Sequence, residues 1–351
     1  MGSLVAGIGY IGARLAERLL DAGEAVVGLD NLFSTDPEAI ERLAQHPSFR
    51  FVEGNAADDD DVGRAFGLGI PIDTVYHLAG QSSARADAAP IRFTEEANLV
   101  APRVMLDRAC EAGAHTFLFG SSLQIYGRRV SGQVGETHPF GPLLDMNHLS
   151  KVYVEKLMEM YSHNRGIRCV AARIGLVYGL GPVMKTDPRF MTAPNKFCHQ
   201  AARGETLRID AGGFQPTSMI HVDDVSRALV ALSHWPLPGF SAVNLIGETA
   251  SPAQVAEVVR RVARARGLDV SLEATPPETP IADCTFLSTL SKCAFTPERS
   301  LERDLPEVLD YFMNREDITP RPPLRRGEGE KSIPLPVPGR GAGGLGPEAS
   351  L

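Results

Sequence analysis

Long hydrophobic runs are missing from this sequence of 351 residues, and no stretch of eighteen apolar residues occurs that could cross a bilayer. An excess of basic residues is missing too, because 35 Lys and Arg face 43 Asp and Glu, giving a net charge of −8. Such a surface repels the phosphates of nucleic acids. We therefore predict a soluble protein with neither a membrane nor a nucleic-acid partner.

Paired cysteines are also missing. The five cysteines are scattered, odd in number and without a C-x-x-C pair, which argues against a disulfide framework and against a zinc site. The N-terminus lacks the basic and apolar segments of an export signal. We expect reduced thiols, a cytoplasmic location and no metal site; His221, Asp223 and Asp224 do not match a metal-binding spacing, and one of the two aspartates is expected to cap a helix.

Apolar strands alternate with amphipathic segments, which is typical of an α/β fold with helices on both faces of a parallel sheet. The predicted strands are 4–6, 25–30, 49–54, 74–79, 116–122 and 168–175. The predicted helices are 11–20, closed by Gly23, followed by 98–112, 149–163, 253–266 and 305–313. The rhythm loosens from about residue 184, which indicates a smaller mixed α/β domain. The last 35 residues hold seven Pro and seven Gly, and we predict that 317–351 is disordered.

A glycine-rich turn joins the first strand to the first helix. Gly7, Gly9 and Gly12 have the spacing G-x-G-x-x-G in the context that binds a dinucleotide pyrophosphate at a helix N-terminus. Asp30 ends the second strand, where its carboxylate can accept hydrogen bonds from the ribose hydroxyls. A 2′-phosphate would meet this negative charge, so we predict NAD as the cofactor rather than NADP.

Five ordered segments resemble the extended short-chain dehydrogenase/reductase superfamily, and more narrowly its nucleotide-sugar epimerases and dehydratases. They are the glycine-rich turn, VYHLAG at 75–80, FLFGSSLQIYG at 117–127, NHLSKVYVEK at 147–156 and MIHVDDVSRAL at 219–229. The resemblance covers residues 1 to about 314. It implies a Rossmann-type doubly wound sheet over 1–183 and a substrate-binding domain over 184–316, from which some segments return to the sheet.

The resemblance also implies roles for individual residues. Lys151 matches the lysine that binds the nicotinamide ribose, Ser122 the hydroxyl that contacts the reacting sugar oxygen, and Asn98 an asparagine that supports the active site. The implied cofactor-binding residues are Gly7, Gly9, Tyr10, Ile11, Gly12, Asp30, Asn31, Asn55, Ala56, Leu78, Ala79, Gly80 and Lys151. The implied substrate-binding residues are Ser122, Gln124, Leu176 and Thr217.

The catalytic position departs from the family pattern. Asn147 stands where the family has a tyrosine base four residues before the lysine, and a carboxamide has no proton to exchange in the working pH range. Asp145, His148 and Tyr126 are alternative proton carriers, although we expect surface or packing roles for them. His148 lies about 100° around the helix from Asn147 and is expected to point away from the site. His77, on a buried strand, is expected to be packed and hydrogen-bonded.

The substrate side departs as well, since Thr217 stands where the family has an arginine and Leu176 replaces a polar residue. Three functions follow. The first is an NAD-dependent epimerase or dehydratase acting on a sugar or nucleotide-sugar through a keto intermediate, with altered acid/base groups. The second is an NAD-binding but catalytically impaired sensor or assembly partner, and the third is an NAD-dependent ketone reductase. A homodimer formed through helices 98–112 and 149–163 is implied by the resemblance.

Overall fold

The computed structural model describes residues 2–83, 85, 87–236, 239–293 and 295–315. The predicted disordered segment 317–351 lies outside the described residues. Its predicted disorder therefore stays a prediction.

Strands and helices alternate along the described part of the chain. The strands are β1 (Gly2–Ala6), β2 (Ala25–Asp30), β3 (Phe49–Glu53), β4 (Ile72–His77), β5 (Thr116–Ser122), β6 (Gly132–Val134), β7 (Arg168–Ile174), β8 (Leu176–Tyr178), β9 (Leu207–Ile209), β10 (Thr217–His221), β11 (Phe240–Leu245), β12 (Glu248–Ala250), β13 (Leu272–Ala274) and β14 (Cys284–Phe286). The α-helices are α1 (Tyr10–Asp21), α2 (Pro37–Ala44), α3 (Asp59–Phe66), α4 (Ile91–Glu95), α5 (Ala101–Glu111), α6 (Met146–Arg165), α7 (Ala193–Ala202), α8 (Val222–His234), α9 (Pro252–Ala265) and α10 (Leu301–Met313).

Seven strands form one parallel sheet in the order β11-β7-β5-β4-β1-β2-β3. All six predicted strands are in this sheet, and the predicted α/β doubly wound fold is confirmed. The chain leaves β1 toward one edge, through β2 and β3, and returns to β4 on the other side of β1. The carboxyl ends of β1 and β4 therefore diverge at a topological switch point, where ligands bind in such sheets.

The helix ends show where local side chains decided the structure. The helix predicted over 98–112 begins earlier, as a π-helical turn over Glu96–Val100 that continues into α5. The helix predicted from 149 begins at Met146, because the carboxylate of Asp145 accepts the amide N–H of His148. The cap predicted for Asp223 or Asp224 is wrong, because the His221 ring accepts the amide of Asp223 and both aspartates lie in the first turn of α8.

Beyond residue 184 the described chain forms small sheets and helices around the same apolar core. β12, β10 and β8 form a mixed sheet, whereas β13 pairs with β9 and β14 with β6. β11 returns to the edge of the large sheet beside β7. The division at 183 and 184 stays a prediction. Among the helices described, none has both the length and the apolarity that a membrane crossing requires.

Candidate active site

One large cleft, of about 610 Å³, lies at the carboxyl ends of β1, β2, β4 and β5. Its wall begins at the turn between β1 and α1 and continues to the first turn of α6 and the segment after β7. The volume is in the range of sites for organic cofactors and small ligands.

The glycine-rich turn is shaped by three separate steric demands. Gly7 has a φ of +90°, and a Cβ atom there would lie 2.5 Å from the amide nitrogen of Ala79. A Cβ atom on Gly12 would lie 1.8 Å from the carbonyl oxygen of Gly7, so only glycine lets α1 pack against the turn. A Cβ atom on Gly9 would meet only Thr35 Oγ1, at 3.8 Å, so the protein itself leaves this space open.

The N-terminus of α1 lacks the side chains that usually satisfy a helix start. Gly9 is its N-cap and supplies no side-chain hydrogen bond, and the first turn holds no acidic residue. The first amides of a helix need acceptors and favour negative charge. The turn therefore fits the pyrophosphate of a dinucleotide.

Asp30 lies at the opposite side of this turn, at the end of β2 and in the cleft wall. Its carboxylate accepts the amide of Leu32 at 2.7 Å and the hydroxyl of Thr35 at 3.1 Å. Burial raises the pKa of Asp30, although these hydrogen bonds oppose the shift. A ribose diol beside Asp30 would add donors to a carboxylate that the protein has only partly satisfied.

The other predicted cofactor residues lie along the same wall. Asn55 donates to Glu96 Oε1 at 2.8 Å and accepts the amide of Ala57 at 3.0 Å, so its orientation is fixed. The thirteen predicted cofactor residues that line the cleft are Gly7, Gly9, Tyr10, Ile11, Gly12, Asp30, Asn31, Asn55, Ala56, Leu78, Ala79, Gly80 and Lys151. Tyr10 is held by its hydroxyl, which donates to the carbonyl oxygen of Gly179 at 2.6 Å.

Ser122 and Lys151 lie at the other end of the cleft. Ser122 accepts the amide of Gln124 at 3.1 Å, which leaves its hydroxyl hydrogen for a ligand. Lys151 Nζ donates to the carbonyl oxygen of Gly120 at 2.8 Å and lies 4.6 Å from the ring centroid of Phe119. Burial lowers the pKa of Lys151 to about 8, although the charge of Glu155 opposes the shift.

Asn98 and Asn147 form a buried amide pair. Asn98 Oδ1 accepts the amide of Gln81 at 2.8 Å, and its Nδ2 donates to the Gln81 carbonyl at 3.0 Å and to Asn147 Oδ1 at 3.5 Å. Asn147 lines the cleft and donates to the carbonyl oxygen of Ser82 at 3.2 Å. Asn98 lies behind the wall, so this pair holds the segment after β4 against α6 and carries no exchangeable proton.

The expectation that His148 points away from the site is wrong. Asn147, His148 and Lys151 all line the cleft, because α6 starts at its rim. His148 Nδ1 is 2.7 Å from Asp145 Oδ2. The prediction used only the angle of about 100° between successive residues of a helix. That angle does not show where the helix begins relative to the cleft.

Tyr126, another alternative proton carrier, lies in the core. Its hydroxyl donates to Asn244 Oδ1 at 2.8 Å and accepts from Arg173 at 2.7 Å. His77 is buried as predicted, between the rings of Phe117 and Phe119, but neither ring nitrogen has a hydrogen-bond partner among the described residues. The predicted hydrogen bonding of His77 is therefore wrong, and burial lowers its pKa to about 3.

Only some of the predicted substrate-binding residues lie in the cleft wall. Gln124 and Leu176 line the cleft, whereas Thr217 is buried where β10 pairs with Ala250 and lies outside it. Five cations in the cleft wall were not predicted from the sequence, namely Arg85, Arg128, Lys185, Arg189 and Lys196. They lie in loops and in the first turn of α7, where no local pattern marks a ligand site.

Two of these cations have no acidic partner among the described residues. Lys185 Nζ donates to Ser82 Oγ at 2.9 Å, and burial lowers its pKa to about 8. Lys196 likewise forms no ion pair with the part of the chain that the structure describes, whereas Arg189 is paired with Asp187. Unpaired cations in a cleft attract an anionic ligand.

The model of the NAD dependent epimerase/dehydratase family matches residues 3–244. The chain belongs to this family. UDP-glucuronic acid decarboxylase 3 of Arabidopsis thaliana is 27% identical over 325 residues, which cover 89% of each protein. The solved structure of UDP-glucose 4-epimerase from Thermotoga maritima with UDP-glucose superposes with a TM-score of 0.75 and 25% identity, covering 89% of this chain and 98% of that one. The Thermus thermophilus UDP-glucose 4-epimerase complex with NAD also gives 0.75 and 25%, over 90% and 99%.

Membership confirms the predicted family resemblance and the predicted NAD dependence. It also confirms that the chain is a member of an enzyme family that acts through NAD. The specific roles of Ser122, Asn147 and Lys151 remain predictions, as does the role of Asn98.

Proposed function

We propose that this protein is an NAD-dependent enzyme that converts a nucleotide-sugar, by epimerisation or a related elimination or decarboxylation through a keto sugar. One observation carries the proposal. A single cleft joins an uncapped helix N-terminus and Asp30 at one end to Ser122, Lys151 and the unpaired Lys185 at the other. The similarity to enzymes whose names include UDP-glucose and UDP-glucuronic acid supports a nucleotide-sugar substrate.

The residues around the cleft fit NAD, and different residues would bind different parts of the cofactor. The amides at the start of α1 would hold the pyrophosphate, Asp30 the adenosine ribose and Lys151 the nicotinamide ribose. When bound, NAD takes up a hydride from a carbinol carbon and later returns it. Ser122 would orient the reacting sugar hydroxyl through its free hydroxyl hydrogen.

The substrate phosphates need positive partners, and Thr217 is uncharged and lies outside the cleft. Lys185 and Lys196 lie in the cleft wall without acidic partners among the described residues. We assign the diphosphate to these two lysines. In this proposal Lys185 and Lys196 supply the positive charge that the family's arginine, replaced here by Thr217, would otherwise provide.

The direct test is turnover of a panel of UDP-, GDP- and dTDP-hexoses, with products followed by mass spectrometry and reduced cofactor by absorbance. We expect conversion of at least one sugar, and a loss of about 10²-fold or more in Ser122→Ala. Ser291→Ala, an exposed serine far along the chain, is the matched control. Absence of turnover with every sugar, in protein that binds NAD, would contradict the proposal.

We also propose a homodimer formed through α5 and α6. Leu149, Tyr153 and Met160 recur at positions i, i+4 and i+11 on α6 and are exposed, as is Val100 in the π-helical turn. Such an apolar stripe marks an interface between copies. Tyr153→Glu should halve the mass seen in analytical ultracentrifugation, whereas Lys156→Glu, at an exposed polar position of α6, should not.

A cytoplasmic location is proposed from the thiols. Cys110, Cys169, Cys198 and Cys284 are free. Three of them are buried, which is compatible with a reducing compartment. Cell fractionation tests this location.

A further inference from the structure

A histidine and an aspartate form a fixed pair at the start of α6. His148 Nδ1 lies 2.7 Å from Asp145 Oδ2, and the two side chains are only 12% and 14% exposed. The other oxygen of Asp145 accepts the amide N–H of His148 at 3.0 Å. One carboxylate thus holds both the backbone and the ring of His148.

This contact selects one tautomer of the ring. Burial raises the pKa of Asp145, but the hydrogen bonds from His148 outweigh burial, so the pKa is lowered and the group stays ionised. An ionised carboxylate only accepts hydrogen bonds, so Nδ1 of His148 must carry the hydrogen. In the neutral form of the ring Nε2 then keeps its lone pair, and none of the described residues forms a hydrogen bond with it.

His148 of this pair borders the same cleft as Ser122 and Lys151. His148 lines the cleft, and it precedes Lys151 by three residues, so the two side chains are neighbours on α6. Lys151 is hydrogen-bonded to Gly120, and Asn147 has no exchangeable proton. A histidine oriented by a carboxylate is the usual arrangement for moving a proton to and from a hydroxyl.

We propose that His148 Nε2 is the general base and acid of this enzyme and that Asp145 is its positioning residue. The inference rests on the proposed function. When the hydroxyl O–H bond breaks, its proton would pass to Nε2, and bound NAD would supply the acceptor for the hydride of the carbinol C–H bond, so that a ketone and an imidazolium result. When the ketone is reduced again, the imidazolium returns the proton to the alkoxide oxygen.

The first experiment needs no turnover. Protein labelled with ¹⁵N-histidine is studied by NMR, with His148→Gln used to assign the signal. We expect wild-type His148 to carry hydrogen on Nδ1 and not on Nε2 at neutral pH. In Asp145→Asn the amide oxygen can still cap α6, but the amide NH₂ faces Nδ1, so the hydrogen should move to Nε2. A wild-type ring with hydrogen on Nε2 would overturn the proposal.

The second experiment uses the sugar that the wild-type protein converts. His148→Gln should lose about 10²–10⁴-fold in kcat with little change in KM, because it removes proton transfer and leaves substrate binding. Asp145→Asn should also lower kcat with little change in KM, but by a smaller factor. His163→Gln, an exposed histidine in the last turn of α6, is the matched control.

The outcomes separate the two proposals. Wild-type turnover with an unchanged kcat in His148→Gln would overturn the role of His148 and leave the proposed function standing. Lys185→Met should raise KM, because this lysine is assigned to the diphosphate; a loss of kcat with unchanged KM in Lys185→Met, and none in His148→Gln, would instead assign the proton transfer to Lys185 and overturn the role of His148. Absence of turnover in the wild-type protein would refute the proposed function itself.

Discussion

The buried ion pair between Glu155 and Arg173 contacts Ser121 in the cleft wall, and its loss should have a large effect. The two side chains are 2% and 5% exposed, and Glu155 Oε2 lies 2.7 Å from Arg173 Nη2. The Ser121 hydroxyl donates to Glu155 Oε1 at 2.6 Å, so the pair also holds the residue before Ser122. Glu155→Gln keeps the shape and leaves the buried guanidinium without a negative partner.

We expect Glu155→Gln to lower the free energy of unfolding by about 3–5 kcal/mol, because one partner of a buried pair is removed while the other charge stays. With a urea dependence of about 3 kcal/mol per molar, the midpoint of unfolding should fall by about 1–1.7 M. The double variant Glu155→Leu with Arg173→Met removes both charges, and most of the loss should be recovered. A loss below about 1 kcal/mol in the single variant would refute the argument.

The same substitution should also affect Lys151. Glu155 lies one helical turn after Lys151, and its charge opposes the lowering of the lysine pKa by burial. Without that charge the pKa of Lys151 should fall further below about 8. At pH 8 a smaller share of Lys151 would be charged, and NAD affinity measured by calorimetry should decrease.

Three further predictions concern the cofactor end and Lys151. Asp30→Ala should weaken NAD binding about 10²-fold in calorimetry, since each hydrogen bond to a charged group contributes about 1.5–3 kcal/mol. An unchanged affinity would show that Asp30 does not bind the ribose. Gly12→Ala should abolish NAD binding and destabilise the fold by about 1–3 kcal/mol. In Gly23→Ala the new Cβ would meet no atom within 4 Å, so this variant should lose only about 1 kcal/mol of stability, because of the positive φ at position 23. Equal urea midpoints for the two variants would contradict this prediction. Lys151 has a folded-state pKa of about 8 against an ordinary 10.5, so its burial cost is fully present below pH 8 and is relieved between pH 8 and 10.5. Over that range wild-type stability should rise by about 3 kcal/mol relative to Lys151→Met, and parallel stability curves would be the contrary result.

The segments that form most strands and the glycine-rich turn could be predicted from sequence because each depends on local chemistry, whereas the order of the strands and the edge strand β11 were not predicted. The apolar segments at 25–30 and 116–122 form β2 and β5 with the predicted bounds. The glycine at 12 is required by an oxygen only five residues earlier in the chain. Interactions between residues this close in sequence leave a readable pattern.

The cleft wall around His148 and Lys185 could not be predicted in the same way, because it is assembled from distant segments. Helical angle placed His148 away from Asn147, but the start of α6 at the rim brought both into the cleft wall. Lys185 donates a hydrogen bond to Ser82, which is 103 positions away in the sequence. Thr217 lies outside the cleft because it is buried in the pairing of β10 with β12. Six of the seven strands of the large sheet and the steric demands of the glycine-rich turn could be predicted from sequence, since they depend on residues close together in the chain. The side chains and charges that border the cleft became visible only in the folded protein, because they depend on where separate elements meet.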